Sequence, residues 1–210
     1  MVIKNISLDH KGNSYIYRLH TLKLKDLTKN FHNLKLFLEY SFENCPNNYF
    51  QEGPRSSMLS FKLKNLNLVN IKGHEICRLI NFLDEDLNHE IVESFLIEND
   101  DKTVAVEIPI WLNPEEISNY KDLFASYKKL TGHIDLLRID DDKIWIWDFK
   151  PNAEREVYAA TQIFFYALML SKRTNINLDK FRCGYFNKNN AYVFKPELNM
   201  ITNESLVKFI

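Results

Sequence analysis

The stretch Gly132 to Pro151, GHIDLLRIDDDKIWIWDFKP, decides the fold of this chain. Its two apolar halves flank a short polar centre, which is typical of a β-hairpin. The second half nevertheless ends with Asp148 and Lys150, two charged residues in an apolar run. Burying an unpaired charge costs on the order of several kcal/mol, so these two positions need a physical explanation.

The register of this hairpin depends on the length of its loop. If the loop is the two residues 141–142, the antiparallel register places Asp135 directly opposite Asp148 on one face of the sheet. Lys150 points the same way because side chains alternate with period two. The aromatic residues of the second strand point to the other face, where a helix could cover them: Trp145, Trp147 and Phe149. A three-residue loop would break this alignment.

Two directly opposed carboxylates repel each other, because their Cβ atoms lie roughly 5 Å apart. A shared proton or a shared cation would relieve the repulsion, and carboxylate, main-chain and water oxygens make the hard site that Mg²⁺ or Mn²⁺ prefers. Lys150 would add a fixed positive charge for a phosphate or an attacking hydroxide. The alternative is that Asp148 and Lys150 merely pair with each other at the end of a strand.

The composition limits the classes of protein to which this chain can belong. The 210 residues are 45% hydrophobic and carry a formal net charge of -1, which suits one globular domain with a small appendage and argues against a broadly basic nucleic-acid coat protein. The three cysteines, Cys45, Cys77 and Cys183, form no CxxC pair, which favours reduced thiols over a disulfide or zinc scaffold. The chain lacks an apolar signal segment and an apolar run of about 18 residues, so we expect a cytoplasmic protein with no membrane partner.

The pattern along the chain predicts an α/β (α+β) fold, with a mixed central sheet flanked by helices. We predict strands at 2–8, 15–24, 103–112, 133–139 and 143–149, and a final hairpin of 182–186 with 191–195. We predict helices at 26–42, 74–97 with a break near 84–88, 114–130, 153–172 and briefly at the end of the chain. Residues 1–70 are expected to be N-terminal strands and a helix packed on a core of residues 71–210.

Six residues in three short motifs, in order, resemble a known family. They are Gly132 with Asp135, then Asp148 with Lys150, then Gln162 with Tyr166 on the following helix. This order resembles the PD-(D/E)XK nucleases, and above all their RecB-like and Cas4-like branch, with its pattern G-x-x-D, [D/E]-x-K, Q-x-x-x-Y. The resemblance covers residues 132–170 tightly and 45–195 loosely.

The resemblance implies a restriction-endonuclease-like core and a metal-dependent nuclease that hydrolyses DNA, acting on single strands or ends as an exonuclease, an endonuclease or both. Asp135, Asp148 and the Phe149 carbonyl would hold one or two Mg²⁺ or Mn²⁺ ions. Lys150 would position the attacking water and stabilise the phosphate, with Gln162 and Tyr166 facing the site. Two alternatives stay open: a weak or inactive nuclease-fold DNA-binding subunit of a recombination or repair complex, and a plain α/β domain with structural charges.

The branch also has an upstream histidine as a further metal ligand. His89 is our first candidate and His74 our second, because His89 has the better helical context. Glu107 resembles an acid on the first core strand of the family, and a solvent-facing glutamate is the alternative. Cys45-Pro46 resembles the opening of Cas4-type chains, yet three cysteines cannot supply a four-cysteine iron–sulfur cluster, so none is expected.

Residues that bind DNA are predicted in two places. Tyr127, Lys128 and Lys129 interleave an aromatic ring with lysines, which suits single-stranded nucleic acid, and a solvated helix end is the alternative. Tyr158 would extend the stripe of Gln162 and Tyr166 by one helical turn. The chain has no GxxxxGK[ST] loop, so we expect a nuclease without its own motor. Its partners would be DNA, and either a second copy of the chain or a repair or recombination protein.

Overall fold

A computed structural model describes residues 2–83 and 86–201 of the chain. The strands are β1 (Ile3–His10), β2 (Asn13–His20), β3 (Val69–Lys72), β4 (Thr103–Leu112), β5 (Leu130–Asp140), β6 (Lys143–Phe149), β7 (Phe181–Phe186) and β8 (Asn190–Phe194). The α-helices are α1 (Thr21–Leu27), α2 (His32–Glu43), α3 (Glu75–Ile80), α4 (His89–Asn99), α5 (Tyr120–Phe124) and α6 (Ala159–Thr174).

The eight strands of these described ranges join one mixed sheet in the order β1-β2-β4-β5-β6-β7-β8-β3. Only β6 and β7 run parallel among these neighbours, and α6 connects them as the crossover that a parallel pair needs. Helix α6 packs on one face of the sheet, with α2 beside it. Helices α3 and α4 cover the other face. The predicted mixed sheet flanked by helices is therefore confirmed.

The central hairpin has the predicted register. Asp140 pairs with Lys143 across a two-residue turn, and the ladder continues to Leu136 opposite Trp147. The turn residues 141–142 have φ angles of 47° and 54°, as a type I′ turn requires of both its central residues. Trp147 and Phe149 are buried among the apolar side chains of α3 and α4, as the alternation predicted. The loop length thus fixes which side chains share a face.

The predicted helix 114–130 is wrong. The Asn113–Glu116 capping box that suggested it does form, but it starts only a 3₁₀ turn, Pro114–Glu116. Helix α5 comes next and ends at Phe124, followed by its C-cap Ala125, whose φ of 47° is left-handed. The chain then enters β5 at Leu130 because Thr131 bonds to the backbone of Pro54 and to β4. Pairing with distant segments overrides the local helix signal.

The structure differs from the prediction at three other element boundaries. The second strand stops at His20, whose side chain instead caps α1 by accepting a hydrogen bond from the Lys23 amide at 3.2 Å. The predicted helix 26–42 is two helices, α1 and α2, and α6 begins at Ala159 after a 3₁₀ turn. The break in 74–97 is confirmed, between α3 and α4. The predicted terminal helix falls mainly on 202–210, outside the described residues.

The N-terminal region contributes to the sheet and to one further wall. β1 and β2 extend the sheet beyond β4. Residues 54–63 then cross the face that carries α6: the Pro54 carbonyl accepts from the Thr131 amide at 3.1 Å, and the Phe61 carbonyl accepts from the Thr161 hydroxyl at 2.6 Å. These contacts fix both ends of the segment. The division of the chain at residue 70 stays a prediction.

The packing behind the central hairpin can be tested by substituting a glycine in β7. Gly184 lies opposite Trp147, and a Cβ at this position would come within 2.7 Å of Cε3 in the indole ring. We expect Gly184→Ala to lower the free energy of unfolding by about 1–3 kcal/mol through overpacking. The measurement is urea unfolding, with Ser7→Ala on exposed β1 as the control.

The same clash predicts coupling between the two positions. In a Trp147→Leu background the ring is gone, so Gly184→Ala should be nearly neutral or should stabilise by filling space. Additive effects of the two substitutions would contradict the packing described for this pair.

Candidate active site

Asp135 and Asp148 lie where β5 and β6 stop pairing. The hydrogen-bonded ladder between these strands ends at Leu136 opposite Trp147, and the two aspartates are the next residues in the same register. Both side chains are buried, and Asp148 is fully inaccessible to solvent. The end of the ladder therefore leaves two carboxylates together in a space that has lost its strand pairing.

Glu107 continues this row of acids onto β4. The pairs of Val106 with Leu136 and of Ile108 with Ile134 place it opposite Asp135. Its φ of +52° is left-handed, and such strain at a residue other than glycine clusters at functional sites. Its Oε2 atom is buried and accepts no hydrogen bond from the described residues. Glu107 is therefore turned into the protein rather than toward solvent.

Lys150 supplies the positive charge of the site. Its Nζ lies 2.9 Å from Oδ1 of Asp148. Burial lowers the pKa of Lys150, but attraction to Asp148 and Asp135 outweighs burial, so its pKa stands above the ordinary 10.5. The ammonium is therefore charged at neutral pH, and it compensates only part of the acid cluster.

His89 is the histidine that the fold brings to the acids. Its Nε2 lies 3.5 Å from Oδ2 of Asp135 and 3.9 Å from Oδ1 of Asp148. Burial lowers the pKa of His89, with Asp148 and the Phe149 carbonyl acting in the opposite direction. A lowered pKa keeps the ring neutral near pH 7, which is the form that binds metal ions.

His74 has a different role. It caps α3, with Nδ1 accepting a hydrogen bond from the Ile76 amide at 3.2 Å. Its ring packs 5.2 Å from that of Trp147, on the covered face of the sheet. A helix cap explains this histidine fully, and it is not part of the cluster formed by His89, Asp135 and Asp148.

The electrostatics of the cluster favour protonation when no cation is bound. The pKa of Asp135 is raised well above its usual range by burial and then by repulsion from Asp148. The pKa of Glu107 is raised to about 7, by burial and again by Asp148. Arg18 acts against these shifts at Glu107, but it does not cancel them. Protons or a cation must therefore compensate this charge.

Glu93 is a member of the cluster that sequence reasoning missed. It lies on α4, is 2% exposed, and its Oε1 accepts no hydrogen bond from the described residues. Burial raises its pKa to about 10, and repulsion from Glu107 adds to the shift. The signal was present, because Glu93 lies four residues after His89 and so shares its helical face.

The donor set fits a small divalent cation. His89, Asp135 and Asp148 each offer one ligand atom, and these atoms lie within 4.8 Å of one another. Oδ2 of Asp135 is buried without a hydrogen bond from the described residues, as are Oε2 of Glu107 and Oε1 of Glu93. Oxygen donors with one imidazole suit Mg²⁺ or Mn²⁺. The Phe149 carbonyl, which accepts from His89, faces the same space.

Helix α6 places Gln162 and Tyr166 behind the acids. Gln162 Nε2 donates to the Tyr166 hydroxyl at 2.8 Å, and Tyr166 is buried. Its pKa is raised well above its usual range by burial and then by Asp135 and Asp148. A Cβ at Gly132 would lie 2.5 Å from the Tyr166 ring and would overlap Ser56. The glycine of the G-x-x-D motif therefore makes room for this tyrosine.

The predicted DNA-gripping residues lie in two different places. Tyr158 occupies the N-cap position of α6, is 40% exposed, and borders the same cavity as Lys150 and Gln162. Lys129 begins the approach to β5, six residues before Asp135, which is ~20 Å along a strand. Tyr127 and Lys128 precede it in the segment between α5 and β5, not on a helix.

The lysines of that distant segment have partners of their own. Lys128 forms an ion pair with Glu52. Lys129 donates to Oδ1 of Asn113 at 2.8 Å and lies over the ring of Tyr49. Tyr127 is exposed under the ammonium of Lys121. Their role in binding nucleic acid stays a prediction.

The cysteines are separate from the acid cluster. Cys45, Cys77 and Cys183 are free, and Cys77 and Cys183 are buried. Burial raises the pKa of Cys45 to about 12 and that of Cys77 to about 11, so both are thiols at neutral pH. Among the helices of residues 2–83 and 86–201, none combines the length and apolar character needed to cross a membrane.

A mixed sheet that presents buried acids and a lysine where two strands separate is the architecture of a restriction-endonuclease-like nuclease. The comparison with protein families agrees: residues 68–207, two thirds of the chain, match the PD-(D/E)XK nuclease superfamily. The chain therefore belongs to this superfamily, whose members are usually metal-dependent nucleases. No curated protein and no solved structure matches the chain significantly.

Buried Glu93 on α4 should make the free energy of unfolding depend on pH. The native state keeps a proton on Glu93 up to about pH 10, whereas the unfolded chain loses it above 4.5. The native state thus binds more protons in this window, so stability should fall as pH rises. Glu93→Gln should flatten this fall and be more stable than wild type at pH 8 by about 1–3 kcal/mol in EDTA.

The measurement is urea unfolding between pH 5 and 9. Glu98→Gln, on the exposed side of the same helix, is the matched control and should keep the wild-type profile. A Glu93→Gln protein that is less stable than wild type at every pH would contradict an uncompensated acid at this position.

Proposed function

We propose that this protein is a divalent-metal-dependent deoxyribonuclease of the RecB-like and Cas4-like branch, acting on single strands or DNA ends. The observation that supports it most is the group formed by Asp135, Asp148 and His89 beside the Lys150 ammonium. The order of these residues, with Gln162 and Tyr166 next on α6, matches the pattern of that branch. Exonuclease or endonuclease cleavage is compatible with this arrangement.

The protein's own residues would divide the work between metal binding and phosphate recognition. Asp135, Asp148, His89 and the Phe149 carbonyl would hold the cation, which when bound would offset their charge and stabilise charge on the phosphate. Lys150, fixed by Asp148 at 2.9 Å, would donate a hydrogen bond to a phosphate oxygen or orient the attacking water. Charge that develops in the transition state would then meet a donor already in place.

Helix α6 would complete the site. Gln162 is the partly exposed member of the Gln162–Tyr166 pair and borders the cavity beside Lys150. Because its Nε2 already donates to Tyr166, its amide oxygen is the atom that can accept from Lys150 or from water. Tyr166 would thus act as a positioning residue, holding the glutamine at the angle that faces the phosphate.

Removing the lysine should remove catalysis. We expect Lys150→Ala to cut labelled single-stranded DNA about 100- to 1,000-fold more slowly, since one donor to the developing charge is lost. The assay measures cleavage with Mn²⁺, Mg²⁺ or EDTA on single-stranded DNA, duplex DNA and RNA. Lys143→Ala is the matched control, because Lys143 begins the same strand and its ammonium donates only to the Asp179 carbonyl among the described residues.

The outcomes of this assay separate the alternatives. Activity that needs metal, falls in Lys150→Ala and stays within about twofold in Lys143→Ala supports the nuclease. Equal activity of wild type and Lys150→Ala would contradict the assignment of Lys150 to the active site. Binding of DNA without cleavage by the wild type would favour a binding subunit of a repair or recombination complex.

Metal binding gives a second test that does not depend on turnover. Mn²⁺ should raise the melting temperature of the wild type, because a ligand that binds only the native state stabilises it. Asp148→Asn should lose that increase, and His89→Ala should reduce it. Asp141→Asn is the control, since it removes an acid from the turn at the other end of the same hairpin, at a left-handed position that asparagine tolerates. An undiminished Mn²⁺ effect in Asp148→Asn would contradict the proposed site.

A further inference from the structure

A cavity opens directly beside the proposed catalytic lysine. It has a volume of about 530 Å³ and is bordered by Lys150 and Gln162 at its inner end. Its size falls in the range of roughly 300–1,000 Å³ that is usual for pockets holding one small molecule. The cavity is therefore large enough for one nucleotide unit and is continuous with the place where a phosphate would react.

Two separate segments form the walls of this cavity. One wall is residues 57–60, part of the segment that Pro54 and Phe61 anchor to β5 and α6. The other wall is residues 155–159, which lead into α6. The first wall lies before residue 68, where the match to the superfamily begins. The N-terminal region thus supplies one side of a pocket whose other side belongs to the nuclease core.

The outer part of the cavity carries exposed apolar side chains. Met58 is 77% exposed, Val157 55% and Tyr158 40%, and all three border it. Apolar side chains left exposed together mark a binding surface more often than isolated ones do. One aromatic ring, one thioether and one branched side chain offer flat and adaptable apolar contact, which suits the face of a nucleobase.

Charge on the walls agrees with a nucleotide as the occupant. Lys150 and Arg155 are the cationic side chains that border the cavity. The neighbouring acid Glu154 is turned away, because Asn187 donates to its carboxylate at 2.9 Å and Asn190 at 2.7 Å. Glu156 also borders the cavity and is its acidic wall residue among the described residues. An anionic backbone would therefore meet two cations on the walls of the cavity, with apolar contact for its base.

We propose that this cavity, which we call the base pocket, holds one unstacked nucleobase next to the scissile phosphate, between Met58 on one wall and Val157 with Tyr158 on the other. The inference rests on the proposed function, because it takes Lys150 to mark the reacting phosphate. A base held between two walls cannot be stacked in a duplex at the same time. The base pocket would thus give the proposed preference for single strands or frayed ends a cause in particular side chains.

The first experiment measures cleavage of single-stranded oligonucleotides that carry one abasic nucleotide at a known position, in Mn²⁺. Because stacking of a base on such a platform is lost, we expect wild type to cut the bond beside the abasic nucleotide about 5- to 150-fold more slowly. Met58→Ser and Tyr158→Ser should slow cleavage of the normal strand, and the penalty for the abasic nucleotide should shrink below about twofold.

Tyr40→Ser is the matched control. Tyr40 is 58% exposed on α2 and does not border the base pocket, so this variant should keep the full abasic penalty. Equal cleavage rates of wild type on the normal and the abasic strand would overturn the proposal. So would Met58→Ser and Tyr158→Ser variants that keep the full penalty.

A second experiment separates this inference from the nuclease assignment. In EDTA, where no cleavage is expected, a strand containing 2-aminopurine reports whether this base leaves its neighbours, because stacking between bases quenches its fluorescence. A change in fluorescence with wild type and with Tyr40→Ser, lost in Met58→Ser and Tyr158→Ser, would support the base pocket even if no cleavage were found in any metal. Absence of such a change with wild type at saturating protein would reject it, even if DNA were cleaved.

Discussion

The structure depends on one electrostatic constraint: Asp135 and Asp148 are buried side by side, and Lys150 compensates only part of their charge. Glu107 and Glu93 extend the same cluster with oxygens that accept no hydrogen bond among the described residues. Leaving a buried polar group unsatisfied costs about 1–3 kcal/mol, and more if it is charged. Such an arrangement is stable only with protons or a cation among the acids. The state with a bound cation is the one that connects the acid cluster to the hydrolysis of phosphodiesters.

The surrounding fold keeps the acids where they are. The type I′ turn fixes the register of β5 and β6, and the ladder ends one residue before the aspartates. Gly132 leaves room for the ring of Tyr166, so α6 can approach β5 closely. Helix α4 delivers His89 from the opposite face of the sheet. Packing between elements from separate parts of the chain therefore holds the acid cluster together, although burying these acids is unfavourable.

The sequence predicted those parts that depend on short-range rules. A two-residue loop and period-two alternation were enough to place Asp135 beside Asp148, and helical context ranked His89 above His74. The fold class came from the same patterns. The contribution of residues 54–63 could not be predicted, because it depends on bonds to Thr131 and Thr161, which are distant in sequence. The helix expected at 114–130 was wrong for a related reason: its capping box forms, but pairing of β5 with β4 determines the conformation from Leu130 onward.

Crystallography with Mn²⁺ tests the central claim most directly, because the anomalous signal locates the ion without relying on enzyme turnover. Crystals grown near pH 8 with Mn²⁺ should show an anomalous peak bonded to Asp135, Asp148 and His89, with Lys150 still paired to Asp148. Glu107 or Glu93 would then complete the shell or bond to its water. Full Mn²⁺ occupancy elsewhere, with Asp135 and Asp148 instead close enough to share a proton, would contradict the account.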